Sequence, residues 1–213
     1  MKKILFIILL YPFFIISQSD DINSKLVYHN NKGNQFVREG QIELGLKEFD
    51  KAVELNPDYA LGHINRGNAY YKLGDFERAL SDYEYAININ PVAIDTCIKL
   101  EILPNIYFYR GLAYAGLKKW QESLNSYSKA IELDSSCFHA YFQKGISNMA
   151  LKNFKESIDD FSILIILDKY IPEAHMSRGI CREECGLPYC DDYRKACYLG
   201  EEKACEWYKN QCK

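Results

Sequence analysis

No apolar run in this chain of 213 residues reaches the roughly 18 residues that a helix needs to cross a bilayer. The longest, Ile4 to Ile16, is broken in character by Tyr11 and Pro12, which argues against an integral membrane protein. Basic side chains are not in excess: 26 Lys and Arg stand against 29 Asp and Glu, a net charge of -3. That balance lacks the broad positive field of a non-specific nucleic-acid binder. Gly-x-Ser-x-Gly, His-Glu-x-x-His, a phosphate-binding loop and Gly-x-Gly-x-x-Gly are all missing, as is the Cys-x-x-Cys redox motif. The sequence therefore offers no catalytic residue, no cofactor and no metal ligand set, and the chain does not read as an enzyme. Nor is it poor in apolar residues: at 48% hydrophobic it has enough to fold.

The short apolar run has its own meaning. Lys2 and Lys3 precede it, and Ser17-Gln18-Ser19 follows it with small and polar residues. This is the three-part layout of a secretory signal peptide over 1–19, cut before Asp20, with a cut after Ser17 as the alternative. An uncleaved anchor or a buried first helix is the competing reading. No cysteine closely follows the run, so a lipoprotein anchor has no attachment point. Loss of Lys2 and Lys3 would leave 24 basic against 29 acidic residues, a mature charge of -5. The expected location is extracytoplasmic, secreted or periplasmic.

Beyond the leader the chain repeats. Gly33, Gly67, Gly111, Gly145 and Gly179 follow one another at 34, 44, 34 and 34 residues, a constant register with one ten-residue insertion. Independent columns keep that register: Phe36, Tyr70 and Tyr114; Phe49, Tyr83, Tyr127 and Phe161; Ala52, Ala86 and Ala130; Leu55, Ile89, Leu133 and Leu167. Apolar residues recur at helical spacing within each unit, and Asn56-Pro57 and Asn90-Pro91 end the runs. Gly40 and Gly74-Asp75 mark a turn inside the unit, so each unit reads as an antiparallel helix pair. The small residues of the Gly33 column allow the paired helices to approach closely.

The 34-residue period, these columns and stretches such as Asn65-Arg66-Gly67-Asn68-Ala69-Tyr70-Tyr71 resemble the tetratricopeptide repeat family over most of the mature chain. The resemblance implies an all-α, right-handed superhelical solenoid of stacked antiparallel helix pairs, in which stacking supplies the core. Residues 20–25 link the leader to units at 26–59, 60–93, 104–137 and 138–171, then a shortened fifth at 172–199 and a capping helix at 200–213. Ser135 and Lys169 replace the expected proline, Gly45 the alanine seen at Ala79, and Asn148 an aromatic. The insertion, 94–103, is apolar enough either to lengthen the next helix or to form its own. Pro104 leans towards an interruption.

In this family the first helices line a concave surface. The resemblance then places Asn30, Asn31, Asn34, Asn65, Asn68 and Tyr71 along one half of a peptide-binding groove. Phe108, Tyr109, Leu112, Phe142, Gln143 and Met149 continue it. Amides can read a peptide backbone, and aromatics anchor apolar side chains. The competing reading makes the asparagines solvated and the aromatics packing between units. The carboxylate clamp of related co-chaperones is half present: Asn34 and Asn65 match it, but Asn30, Asn105 and Tyr109 stand where cations belong.

Six of eight cysteines crowd into 181–212. Cys190 and Cys197 are seven apart on one expected helix and Cys205 and Cys212 seven apart on the next. In a hairpin turning near Gly200-Glu201 the two outer and the two inner cysteines face each other in one register, giving Cys190–Cys212 and Cys197–Cys205. Zinc is the competing reading, and its ligand spacing is only partly met. Cys97 and Cys137 lie near connections on one edge of the stack, where a third bridge could form. The segment from Cys190 to Gly200, with Ala204 and Cys212, resembles the terminal cap of secreted bacterial tetratricopeptide proteins.

Lys32, Arg66, Arg110, Lys144 and Arg178 form a basic column that could bind anions. Glu48, Asp82 and Asp160 form an acidic one, so pairing within each hairpin is the stronger expectation, with Ser126 leaving Arg110 least obviously paired. His29, His63 and His175 share a column and read as packing positions. The expected function is a non-enzymatic scaffold holding a protein or peptide. A cysteine-based redox or metal protein and an assembly subunit docking through its convex face are the alternatives.

Overall fold

A computed structural model describes residues 5–89 and 96–212, with side chains from 21 to 89 and from 104 to 212. The expected leader, 1–19, and the whole insertion, 94–103, fall outside the described side chains. Among the described residues the chain is all helix, with no strand. It divides into two compact units, Met1–Asn90 and Pro91–Lys213.

The first unit holds α1 (Leu5–Arg38), α2 (Ile42–Leu55), α3 (Ala60–Lys72) and α4 (Phe76–Asn88). The second holds α5 (Thr96–Gly116), α6 (Trp120–Leu133), α7 (Phe138–Ala150), α8 (Phe154–Leu167), α9 (Pro172–Glu184), α10 (Cys190–Tyr198) and α11 (Glu202–Gln211). Successive helices pack as hairpins, α1 on α2, α3 on α4, α5 on α6, α7 on α8 and α9 on α10, and within each unit the hairpins stack. The core is made by the columns read above: Phe49, Ala52, Ala79, Tyr83 and Ala86 are buried in the first unit, and Tyr127, Ala130, Phe161 and Leu164 in the second.

The glycine column does what its register implies. A Cβ added at Gly111 would run into the Tyr127 ring, and one at Gly145 would stand 2.8 Å from Phe161. Each ring of the second helix therefore lies directly on the glycine of the first. The hairpin turns share one left-handed residue, filled by Gly40, Gly74 and Gly186 but by Lys118 (φ 58°) and Lys152 (φ 62°) in two of the five. L residues are disfavoured there.

The missing prolines are explained by a side-chain turn. Asp134 accepts a bond from the Ser136 N–H at 2.9 Å and Asp168 from the Tyr170 N–H at 2.9 Å. Asn56 does the same for Asp58 at 3.0 Å, so the connection is held whether or not proline follows.

The insertion corrects one expectation. From Thr96 it joins α5, and the helix runs through Pro104 rather than stopping at it. Proline removes one amide from the ladder, but α5 has 21 residues, so hydrogen-bonded turns on both sides hold the axis.

Candidate functional site

Each first helix presents two kinds of polar residue, one turned into its own hairpin and one towards solvent. The basic column belongs to the first kind. Arg66 donates to both carboxylate oxygens of Asp82, at 2.9 and 2.7 Å, and also reaches out of its own hairpin to Asp50 of α2 at 2.8 Å. Lys144 pairs with Asp160 at 2.5 Å and Lys32 with Glu48 at 3.7 Å. Arg178 and Arg182 grip Asp192 at 2.7 and 2.8 Å. Arg110 donates to Ser126 Oγ at 3.1 Å and lies over the Tyr107 ring. These cations hold the hairpins together, which leaves no continuous anion-binding stripe.

The histidines do more than pack. His29 meets Glu48 at 2.6 Å, His63 meets Asp82 at 3.1 Å and His175 lies 3.7 Å from Asp192. His63 also bonds the Pro57 carbonyl at 2.8 Å, so each ring nitrogen faces an acceptor. Sequence reading missed this third member of the hairpin hub, although the shared column of His29, His63 and His175 was its signal. Burial pushes the carboxyls of Glu48, Asp82 and Asp192 up, but the hydrogen bonds and charges around them prevail and hold all three below the ordinary carboxylate value. Asp160 has Tyr141 where the others have histidine. There burial outweighs Lys144 and Asn148, and its carboxyl sits above the ordinary value.

The expected groove residues divide. Asn30 is only 4% exposed and accepts a bond from Asn65 at 2.8 Å, so it joins two hairpins instead of facing a ligand. Asn31 is exposed, and Asn34, Asn68 and Tyr71 are half-buried, with Asn68 accepting from the Tyr83 hydroxyl at 2.8 Å. In the second unit Phe108 and Leu112 are half-buried against the cluster around Tyr127, beside Tyr109. Phe142 and Met149 are half-buried against the cluster around Phe161 and Leu164.

Phe142 and Gln143 have a further role: with Phe138, His139, Leu164, Asp168, Ile171 and Glu173 they line a pocket of about 410 Å³. The floor is aromatic and aliphatic, and two carboxylates stand in the lining. One replacement marks the place in the sequence. Leu164 is fully buried where the Ala52, Ala86 and Ala130 column has a small residue in the other units. The larger side chain packs against Ala174 of α9 and its neighbour Ile171. The departure from alanine was the legible signal, and the pocket residues other than Phe142 and Gln143 were missed.

At the C-terminal end, Cys190 is bonded to Cys212 and Cys197 to Cys205, with Cα separations of 5.5 and 4.5 Å. These are the pairs that equal spacing selects, and they fix α11 to α10. Tyr193 is buried against Gly179 and Trp207 and donates to Glu183 at 2.6 Å. Cys137, Cys181 and Cys185 are free thiols, so Cys137 makes no third bridge. Cys97 lies outside the described side chains. Among the described residues no three His, Cys, Asp or Glu side chains stand together as a metal site, and no helix is long and apolar enough to cross a membrane.

Family models place the same repeats independently. The TPR repeat model matches residues 33–74, and tetratricopeptide repeat models match 60–91 and 104–137. No curated protein matches the chain in sequence. Among solved structures, YrrB, described as a TPR protein with an unusual peptide-binding site, superposes with a TM-score of 0.73 at 18% identity, covering 91% of this chain and 97% of that one. MamA gives 0.71 at 18% identity over 81% and 96%. MamA 41-end from Desulfovibrio magneticus RS-1 gives 0.68 at 16% identity over 88% and 97%. At such identities these structures establish the helical solenoid fold and nothing further.

Proposed function

Because this chain belongs to the tetratricopeptide repeat family, we propose that it is an exported, non-enzymatic scaffold whose first helices hold a segment of another protein. The observation that carries the reading is the pocket at Phe142 and Gln143. Its apolar floor suits a bulky apolar side chain, and Asp168 and Glu173 beside it favour a neighbouring Lys or Arg on the same segment. YrrB, similar in fold, is described as having a peptide-binding site. The half-buried amides of Asn34, Asn65 and Asn68 give the first unit a separate polar surface for an extended backbone.

Export is supported by the basic start and apolar run of 1–19 and by two disulfides, which persist in oxidising compartments. The net charge of -3 gives no reason to expect nucleic acid.

The test is peptide selection on the oxidised protein. Peptides pairing an aromatic or aliphatic residue with a basic one should be enriched. Gln143→Ala with Glu173→Lys should weaken them at least about tenfold, roughly 1.4 kcal/mol, without lowering thermal stability. Failure to enrich any peptide, or equal affinity for the double variant, would refute the reading.

A further inference from the structure

The histidine column sets the same ring in three places, and only His63 has two short partners. It is buried, with Nδ1 3.1 Å from Asp82 Oδ1 on α4 and Nε2 2.8 Å from the Pro57 carbonyl in the α2–α3 connection. A neutral imidazole has one N–H and one bare nitrogen. Neither partner can supply the missing proton: a carbonyl has none, and Asp82 is held below the ordinary carboxylate value and so is ionised near neutral pH. Both bonds therefore form only when the ring carries both protons. The charges around it agree. Arg66 pairs with Asp82 and with Asp50 of α2, so two carboxylates face one fixed cation, and a positive ring evens the balance. The Tyr85 ring of α4 stacks on His63 at 4.4 Å, a face that suits a cation. Among the described residues α1 brings it no ion pair.

We infer that His63 is a proton-operated clip: doubly protonated, it ties the α2–α3 connection to α4 through Pro57 and Asp82, and loss of one proton releases the connection. The other two histidines lack this arrangement. His29 follows no connection, because α1 runs unbroken before it, and among the described residues it bonds only Glu48. At His175 the Asp192 carboxylate is already held by Arg178 and Arg182. That ring keeps one bond, 3.3 Å to the Lys169 carbonyl, while its Nδ1 stands 3.7 Å from Asp192 without a hydrogen bond. Histidine is the side chain that ordinarily changes charge between about pH 5 and 8, above the range in which carboxylates titrate. The second bond exists only with the second proton, so the joint between the first two hairpins is tighter on the acid side of that range and loosens as the pH rises. The clip lies in the first unit and the pocket proposed for peptide binding in the second, so either can fail without the other.

Nitrogen NMR of the oxidised full chain reads the two ring nitrogens of His63 from about pH 5 to about pH 8. The signals are assigned by their loss in His63→Gln or, should that variant not fold, by elimination with Gln variants of the other three histidines. His63 should show two N–H groups at the acid end and one at the alkaline end. Over the same span, protection of the Gly62–Arg66 amides, corrected for the intrinsic pH dependence of exchange, should fall about tenfold. The equivalent Ala174–Arg178 amides of α9 should not change, and in His63→Gln the Gly62–Arg66 protection should no longer depend on pH. A ring with one N–H at every pH, a ring with two throughout, amide protection indifferent to pH, or a response that survives in His63→Gln would each overturn the inference.

Discussion

The same substitution at equivalent positions of two hairpins should have unequal consequences. Asp82 and Asp160 both sit buried on second helices opposite a basic residue of the first. Asp82→Asn removes the charge that Arg66 grips with two nitrogens and that His63 also bonds. Breaking a buried pair costs about 3–5 kcal/mol. Arg66 is 20% exposed and keeps Asp50, so the lower end, about 3 kcal/mol, applies. Asp160 is held above the ordinary carboxylate value by burial, with only Lys144 and Asn148 to oppose it. Its replacement by Asn breaks the Lys144 ion pair but can keep Asn148, and because burial already disfavours the charged carboxylate the loss is smaller, about 1.5 kcal/mol. The difference, about 1.5 kcal/mol, is roughly tenfold in a local opening equilibrium. Hydrogen exchange of the α3–α4 and α7–α8 amides reads each site in its own unit. The pH dependence has opposite signs. Asp82, with its value lowered by folding, contributes stability above the unfolded carboxylate value of about 3.9 that is lost as pH falls through the folded value. Asp160, with its value raised, costs stability as pH rises from the unfolded to the folded value. Equal exchange in the two variants, or the same sign of pH response at both sites, would refute this account of the hubs.

Gly111→Ala should destabilise the α5–α6 hairpin by about 1–3 kcal/mol, because the new methyl meets the Tyr127 ring; urea unfolding followed by Trp120 fluorescence measures it. Lys118→Gly and Lys152→Gly relieve a left-handed lysine and should each stabilise by about 1 kcal/mol, seen as a higher melting temperature. Acid should loosen the hairpins of Glu48, Asp82 and Asp192 as pH falls through their lowered values, with Asp160 opposing the trend; exchange across pH 5 to about 2 reports it. Peptide mapping of exported protein should find residues 1–17 or 1–19 absent and the Cys190–Cys212 and Cys197–Cys205 linkages intact. Reduction should then free α11 to proteolysis, with about 2–4 kcal/mol lost per bridge.

Much of the fold was legible because repetition turns one chain into several aligned examples. The glycine column announced the ring contacts of Tyr127 and Phe161, and equal cysteine spacing announced the staple of α10 to α11. The basic and acidic columns also met as expected. Burial was not legible in the same way. Asn30 and Asn31 are neighbours in sequence, yet one is sealed against Asn65 and the other lies in solvent. Helical phase decides which, and the family pattern does not. Pro104 misled because its penalty is local while the helix it interrupts is long. The pocket was hidden for a different reason: its lining comes from α7, the end of α8 and the start of α9, and only the change from alanine to Leu164 hinted at it.

Hydrogen exchange of the oxidised protein with and without a selected peptide reads whether a partner segment occupies the α7–α9 pocket. Slowed exchange is expected only at the amides of Phe138–Gln143 and the start of α9, and Gln143→Ala with Glu173→Lys should abolish it. Protection that falls on the outer face of α8, or on no part of α7, would contradict that occupancy.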